Sequence, residues 1–398
     1  NLDANERSTG LLVIRPAARD YAWGSPSAIP GLFGWRPTGH PVAEVWYGAH
    51  PLAPATVAGG DLDGWTLDRV IGADPVWNIG PLAAAGEDAD RLPYLLKVLG
   101  VAGPLSLQVH PSKSQAETGF AREDAAHVSL AAPSRNYKDA NHKPELAMAI
   151  SPFEALAGFR PLADILGLLE PLDCELARAI AHAVTGGIGR ALAGLLTGEL
   201  GDEAAVEALA DHCRRLARTS ADAAYGVAAR LADHYPGDPG VAVSLLLAHH
   251  RLAPGELLFV PPGCVHSYLG GMIVEVMASS DNVLRAGLTR KHIDVGELLA
   301  CVDPAAEAGA GPLNIAVDGG CRTIRPPVPD FCLTDLAFDG RVPLPGAGPR
   351  IVLVLSGRAA VHADGEDAGL GPGGAVFIPD GDGAASVSGA GHAVIVHL

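Results

Sequence analysis

Residues 254–268 read PGELLFVPPGCVHSY. The apolar run from Leu257 to Val260 has the length of a short strand, and Pro261-Pro262-Gly263 ends it with residues suited to a tight turn. One histidine, His266, follows. A near-copy stands at 372–386, PGGAVFIPDGDGAAS. Pro254/Pro372, Gly255/Gly373, Phe259/Phe377, Pro261/Pro379 and Gly263/Gly381 recur in register, but the position of His266 holds Ala384. Two copies of one β-unit are implied, and only the first carries a histidine.

Working outward, Leu11 to Ile150 is rich in Gly, Pro and short β-type runs such as LLVIRP, EVWYGAHP and PLSLQVHP. From Leu162 to His250, Leu, Ala and Arg recur at helical spacing, as in EAAVEALADHCRRLARTSADAAYGVAARLADHY and GVAVSLLLAHHR. Strand signals return at Glu256, and the tail is again short strands with glycine turns. The repeated stretch fits G-x5-P-x4-H at Gly255, Pro261 and His266, and so resembles the second motif of the cupin jelly roll, whose histidine points into a metal-holding barrel mouth. The expected fold is mainly β with α: two cupin-type β jelly rolls plus an inserted all-helical domain. The expected boundaries are a catalytic roll in two parts (11–155 and 251–325), a helical insertion (156–250) and a metal-free C-terminal roll (326–398).

Composition narrows the function. With 398 residues the chain is long enough for two or three domains. Its net charge of −17 argues against nucleic acid, whose binders need a basic surface. No apolar run reaches the roughly 18 residues of a membrane span, and Asn1 to Gly10 is too polar for a signal peptide. Six cysteines at irregular spacing suggest reduced thiols and a cytosolic home. The five lysines, Lys97, Lys113, Lys138, Lys143 and Lys291, all lie beside the motif segments, which fits either Arg-for-Lys usage elsewhere or a local pocket for an anion.

A metal at His266 needs partners. In LSLQVHP, Gln108 and His110 are two apart and share one face of a strand. In NHKPEL, Pro144 biases Lys143 towards extended geometry, so Lys143 and Glu145 point the same way. Gln108, His110, Glu145 and His266 make an N2O2 donor set that suits Zn²⁺ and leaves room for a substrate oxygen. Cupins usually place a histidine where Gln108 stands.

At this point DYAWGS (20–25), EVWYGAHP (44–51), LPYLLKVL, PLSLQVHPSK, NHKPELAMAI, PGELLFVPPGCVHSYLGG and VEVMASSDNVLRAGLT (274–289) together resemble the type I phosphomannose isomerases, the zinc-dependent mannose-6-phosphate isomerases. The likeness is collinear from Tyr21 to Thr289 and architectural beyond. It implies one zinc held by Gln108, His110, Glu145 and His266 and a sugar phosphate substrate; a cytoplasmic monomer with no partner protein is expected.

Aldose–ketose conversion moves a proton between two carbons through a cis-enediol. It needs an electrophile for the developing oxyanion, a base and acid, and a phosphate anchor. Arg285, always cationic, suits an oxyanion or phosphate. Lys97, Lys143 and Ser106 resemble the family's substrate-contacting positions, with Lys97 and Ser106 assigned to phosphate. The base is open between Glu275, an acid among apolar strand neighbours, and Lys143. Asp281, in a segment with turn chemistry, resembles a residue for ring opening, as does Lys143. Tyr268 and Trp23 are expected to line the sugar pocket; His50, Lys113 and Lys291 are left unassigned. The rival readings are a non-haem iron cupin oxygenase and a non-catalytic sugar-phosphate-binding cupin.

Overall fold

The computed structural model describes residues 10–84 and 90–398, and its strands form two sheets, each of ten strands among those residues. The first is built around the long strand His266–Ala278. The second half of this strand pairs antiparallel with Tyr94–Val101 on one side and Glu145–Ala149 on the other. Its first half pairs with Phe153–Phe159 and, at His266, with Gln108. One strand serves both halves because it bends: the register shifts between Tyr268 and Gly270, and Gly271 takes φ +103°. A Cβ at Gly271 would lie 2.2 Å from the Pro152 carbonyl oxygen, so only glycine tolerates both the dihedral and the approach.

The second sheet is built from the tail, with Ala385–His397 pairing along Arg350–Ala363 and Cys332–Asp339. The architecture is mainly β with helices, as the repeat implied, and both copies of the repeated apolar run are strands, Leu257–Val260 and Ala375–Ile378. Sheet membership adds segments that the sequence partition assigns to the catalytic roll. Leu12–Arg15 pairs with Ala375–Ile378 and with Thr56–Val57, and Asn314–Asp318 and Cys321–Arg325 lead into Cys332–Asp339. Pairing with Leu12–Arg15 covers an edge that would otherwise present bare N–H and C=O groups. Ile14, Val45, Leu96, Val276, Ile351 and Phe377 share one buried cluster, so the two sheets bury their apolar faces in a common core.

Six helices between Leu162–Leu169 and Gly240–Ser244 form the insertion among the described residues. In Glu203–Leu216, Val206, Leu209, Ala210 and Cys213 are buried at helical spacing, and Asp202 caps the start by accepting from the Ala205 N–H at 3.0 Å. The helical expectation runs too far at its end: Leu247–Leu252 is a strand paired with Phe153–Phe159, because a free strand edge there overrides its Leu- and Ala-rich composition. The insertion braces the site. Leu107 and Val109 belong to its core, while the residues alternating with them, Gln108 and His110, turn the other way. All six cysteines are free thiols.

Candidate active site

Backbone register assembles the site. Arg285 pairs with Gln108, and Gln108 with His266, so three polar side chains from distant segments stand side by side. One strand row over, Trp46 pairs with Lys97 and Lys97 with Glu275. The Pro-Pro-Gly turn before His266 is tied to the ligand strand, since the Gly263 N–H donates to the His110 carbonyl at 2.8 Å.

His110, Glu145 and His266 are almost fully buried, and their donor atoms lie within 4.8 Å of one another. Glu145 Oε1 is 3.2 Å from His110 Nε2, and its Oε2 is 3.3 Å from His266 Nε2. A tetrahedral ion with ligands at about 2.0–2.1 Å requires donors about 3.3 Å apart, and each histidine meets one Glu145 oxygen at close to that spacing. The tautomers fit too. His110 Nδ1 donates to the Asn282 carbonyl at 2.7 Å and His266 Nδ1 to the Cys264 carbonyl at 3.0 Å, which leaves both Nε2 lone pairs facing the centre. Gln108 Nε2 lies 3.3 Å from His266 Nε2, and a half-turn of that amide presents its oxygen to the same centre. Of the four expected ligands, the three ionisable ones converge and the fourth stands beside them.

Charge follows from burial and neighbours. Burial and Lys143 push His110 down to about 4, so its imidazole is neutral and able to ligate. Burial alone would raise the Glu145 carboxyl, but Lys143 and the histidines more than offset it and hold it well below the carboxylate range. Lys143 Nζ donates to Glu145 and sits 3.3 Å from His110 Nε2. Neighbouring His142 turns away to Asp330. The Tyr268 hydroxyl donates to Glu145 at 3.3 Å, and its ring packs edge-on against Phe153.

Lys97, expected at the phosphate, is engaged with carboxylates and an indole ring. Its ammonium is 3.5 Å from Glu275, 3.7 Å from Glu44 and 4.7 Å from the Trp46 ring, and it is almost wholly buried. Burial would lower it, but Glu44 and Glu275 more than offset that and keep it charged. An ammonium neutralised by two carboxylates has little attraction left for a phosphate. Glu275 is pushed up by burial and by Glu145, against the pull of Lys97 and Lys143. Three carboxylates (Glu44, Glu145, Glu275) thus face two ammonium groups (Lys97, Lys143) in a dry interior. The excess is one negative charge, which a divalent cation would turn into one positive charge.

Cations without a carboxylate partner among the described residues lie elsewhere, and of these Lys138 donates to the Leu130 carbonyl at 2.7 Å. Arg285 is half-buried and makes no hydrogen bond or ion pair among the described residues; burial lowers its guanidinium. Its field, with burial, lowers Lys291 and contributes to lowering Lys138. Ser106, two residues before Gln108, is half-buried with no side-chain partner among the described residues. Asp281 is raised chiefly by burial, against the lysines, and lies 3.5 Å from His50 Nε2. Trp23 stacks on Tyr21 at 5.8 Å and packs against the cluster that holds Tyr268.

Sequence reasoning passed over Glu44, Trp46, Asn282, Lys138 and Lys291 as site residues. Glu44 and Trp46 stand in a segment already quoted for its resemblance, and the signal was a charged residue inside an apolar strand.

The comparisons with known proteins agree with this geometry. A family model described as phosphomannose isomerase type I, catalytic domain, matches residues 11–162. The mannose-6-phosphate isomerase of Escherichia coli K12 is 37% identical over 386 residues, covering 96% of this chain and 98% of that protein. The human protein of the same name is 32% identical over 361 residues, with 82% of each covered. A mutant phosphomannose isomerase from Salmonella typhimurium superimposes with a TM-score of 0.88 at 32% identity, covering 97% of this chain and 98% of that one. A zinc-bound holo mannose 6-phosphate isomerase gives 0.87 at 33% identity, with the same coverage. With three buried potential ligands around one centre, and relatives matching nearly end to end, the chain belongs to the type I phosphomannose isomerase family.

Proposed function

We propose that this protein is a zinc-dependent aldose–ketose isomerase that interconverts mannose 6-phosphate and fructose 6-phosphate through a cis-enediol. The observation that carries it is the buried His110–Glu145–His266 centre, with its tautomers set for ligation, beside a carboxylate–lysine network. The relatives carry isomerase names and lend no support to an iron oxygenase or a non-catalytic binder.

His110, Glu145 and His266, with Gln108, would hold the ion. When bound, zinc supplies Lewis acidity towards the oxygens on the two reacting carbons. Arg285, Lys291 and Lys138, with the Ser106 hydroxyl, anchor the phosphate; this reading replaces Lys97. Glu275, raised by burial, takes and returns the proton between the two carbons, and Lys97 holds its carboxylate in place. Lys143, beside Glu145 and His110, donates to a substrate oxygen, while Asp281 with His50 serves ring opening. Tyr268 orients Glu145, and Trp23 bounds the sugar. We also propose a catalytic roll, a helical insertion and a metal-free second roll that takes in 12–15 and 314–325. A monomer in the cytosol completes the reading; among the described residues no helix is long and apolar enough to cross a membrane.

The test is a coupled assay with mannose 6-phosphate before and after chelation, with elemental analysis and exchange of solvent deuterium into the substrate's C2 position. Zinc near one per chain, turnover lost on chelation and restored by zinc, and deuterium in the product are expected. Turnover that survives complete metal removal would sink the proposal.

A further inference from the structure

Glu44 has no part in the reaction as described above, yet it is a carboxylate buried to 8% exposure beside it. The Trp46 indole N–H donates to Glu44 Oε2 at 2.5 Å, and the same oxygen lies 3.7 Å from Lys97 Nζ. Lys97 is therefore held from three directions: Glu44, the face of the Trp46 ring, and Glu275 at 3.5 Å. A lysine on a four-carbon stem is a mobile point charge. Glu145 also attracts this one, though less than Glu44 and Glu275 do, so removing the Glu44 charge shifts the balance that sets where the ammonium sits between Glu275 and Glu145. The buried Glu44 carboxylate gives up hydration, and the charge it keeps is set against Lys97.

We propose that Glu44 is a positioning residue: fixed by Trp46, it sets where Lys97 sits, and through Lys97 it holds the Glu275 carboxylate over the reacting carbons. This rests on the isomerase reading.

Glu44→Gln tests it, since the amide keeps an acceptor for the indole N–H and removes only the charge. The expected result is a kcat lower by about 10- to 100-fold, the range in which misplacing a reacting group falls, with KM within about twofold and zinc content unchanged. Because Glu44 acts through Lys97, adding Glu44→Gln to Lys97→Met should change kcat by less than about twofold. Glu44→Asp, which keeps the charge, should recover part of the loss. Wild-type kcat in the Glu44→Gln protein, a loss confined to KM, or an equal further loss in the Lys97→Met background would each overturn the proposal. Should Glu44→Gln not fold, Trp46→Phe keeps the ring and deletes the N–H; an unchanged kcat there has the same force. Inactivity of the wild-type protein towards mannose 6-phosphate would instead strike the isomerase reading itself.

Discussion

At the residue scale, the site separates its cations by how completely they are neutralised. Lys97 and Lys143 are each matched to buried carboxylates, which fixes where their ammonium groups sit. Arg285 has no such partner among the described residues, and a guanidinium cannot shed its charge in a protein, so an incoming dianion is its natural counter-ion. Arg285→Ala should lower kcat/KM by about 10- to 100-fold, the loss of one charge-assisted contact, with zinc still bound by elemental analysis. Loss of zinc in that variant would mean that Arg285 holds the strand beside Gln108 rather than the substrate. Ala384 marks the converse case. It occupies the histidine's place in the second copy, and no second group of three possible ligands occurs among the described residues. Substitution there is expected to leave turnover intact.

At the element scale, a loop holds the ligand strand in register. Asn282 is wholly buried; its side-chain oxygen accepts from the Lys138 N–H at 2.7 Å, and its amide donates to the Asp139 and Asn141 carbonyls at 2.8 Å each. Its own carbonyl receives the His110 Nδ1–H at 2.7 Å. One residue thus closes the 138–141 loop and sets the tautomer of a ligand. Asn282→Ala should cost about 3 kcal/mol of stability through unsatisfied buried groups and weaken zinc binding about 10- to 100-fold. Chemical unfolding and zinc titration read the two effects separately. Unchanged zinc affinity would show that the Asn282 carbonyl keeps its place against His110 without the side chain's loop contacts.

At the scale of the whole molecule, the two sheets are joined by their common core and by hydroxyls that cross between them. Tyr94 donates to the Pro349 carbonyl at 2.8 Å and Tyr47 to the Gly373 carbonyl at 3.1 Å. The helix Pro75–Ile79 lays Trp77 against Gly381 of the second roll. Next to that contact, Asp382 is buried with neither carboxylate oxygen hydrogen-bonded; burial, then Asp364 and Glu366, raise its carboxyl to about 6. The native state therefore holds this proton more tightly than the unfolded chain, and stability falls as pH climbs from 3.8 through about 6. Asp382→Asn should stabilise the protein at neutral pH by on the order of 2 kcal/mol, with the gain fading as pH falls from about 6 towards the unfolded value of 3.8. Denaturant unfolding across that range measures it, and a gain independent of pH would exclude ionisation as the cause.

By itself the sequence determined the β-rich repeat, the helical block between strands, and the four residues proposed to ligate. These depend on short-range geometry: a strand's two-residue period puts Gln108 and His110 on one face, proline extends the chain before Glu145, and a glycine–proline turn presents His266. Only the tertiary structure decided which sheet takes Leu12–Arg15, that Leu247–Leu252 is a strand, and that Lys97 is tied to buried carboxylates. Pairing depends on strands far apart in the chain meeting in one register. Lys97, Glu275 and Trp46 are neighbours only because three such strands align, and no local pattern records which charge will meet which.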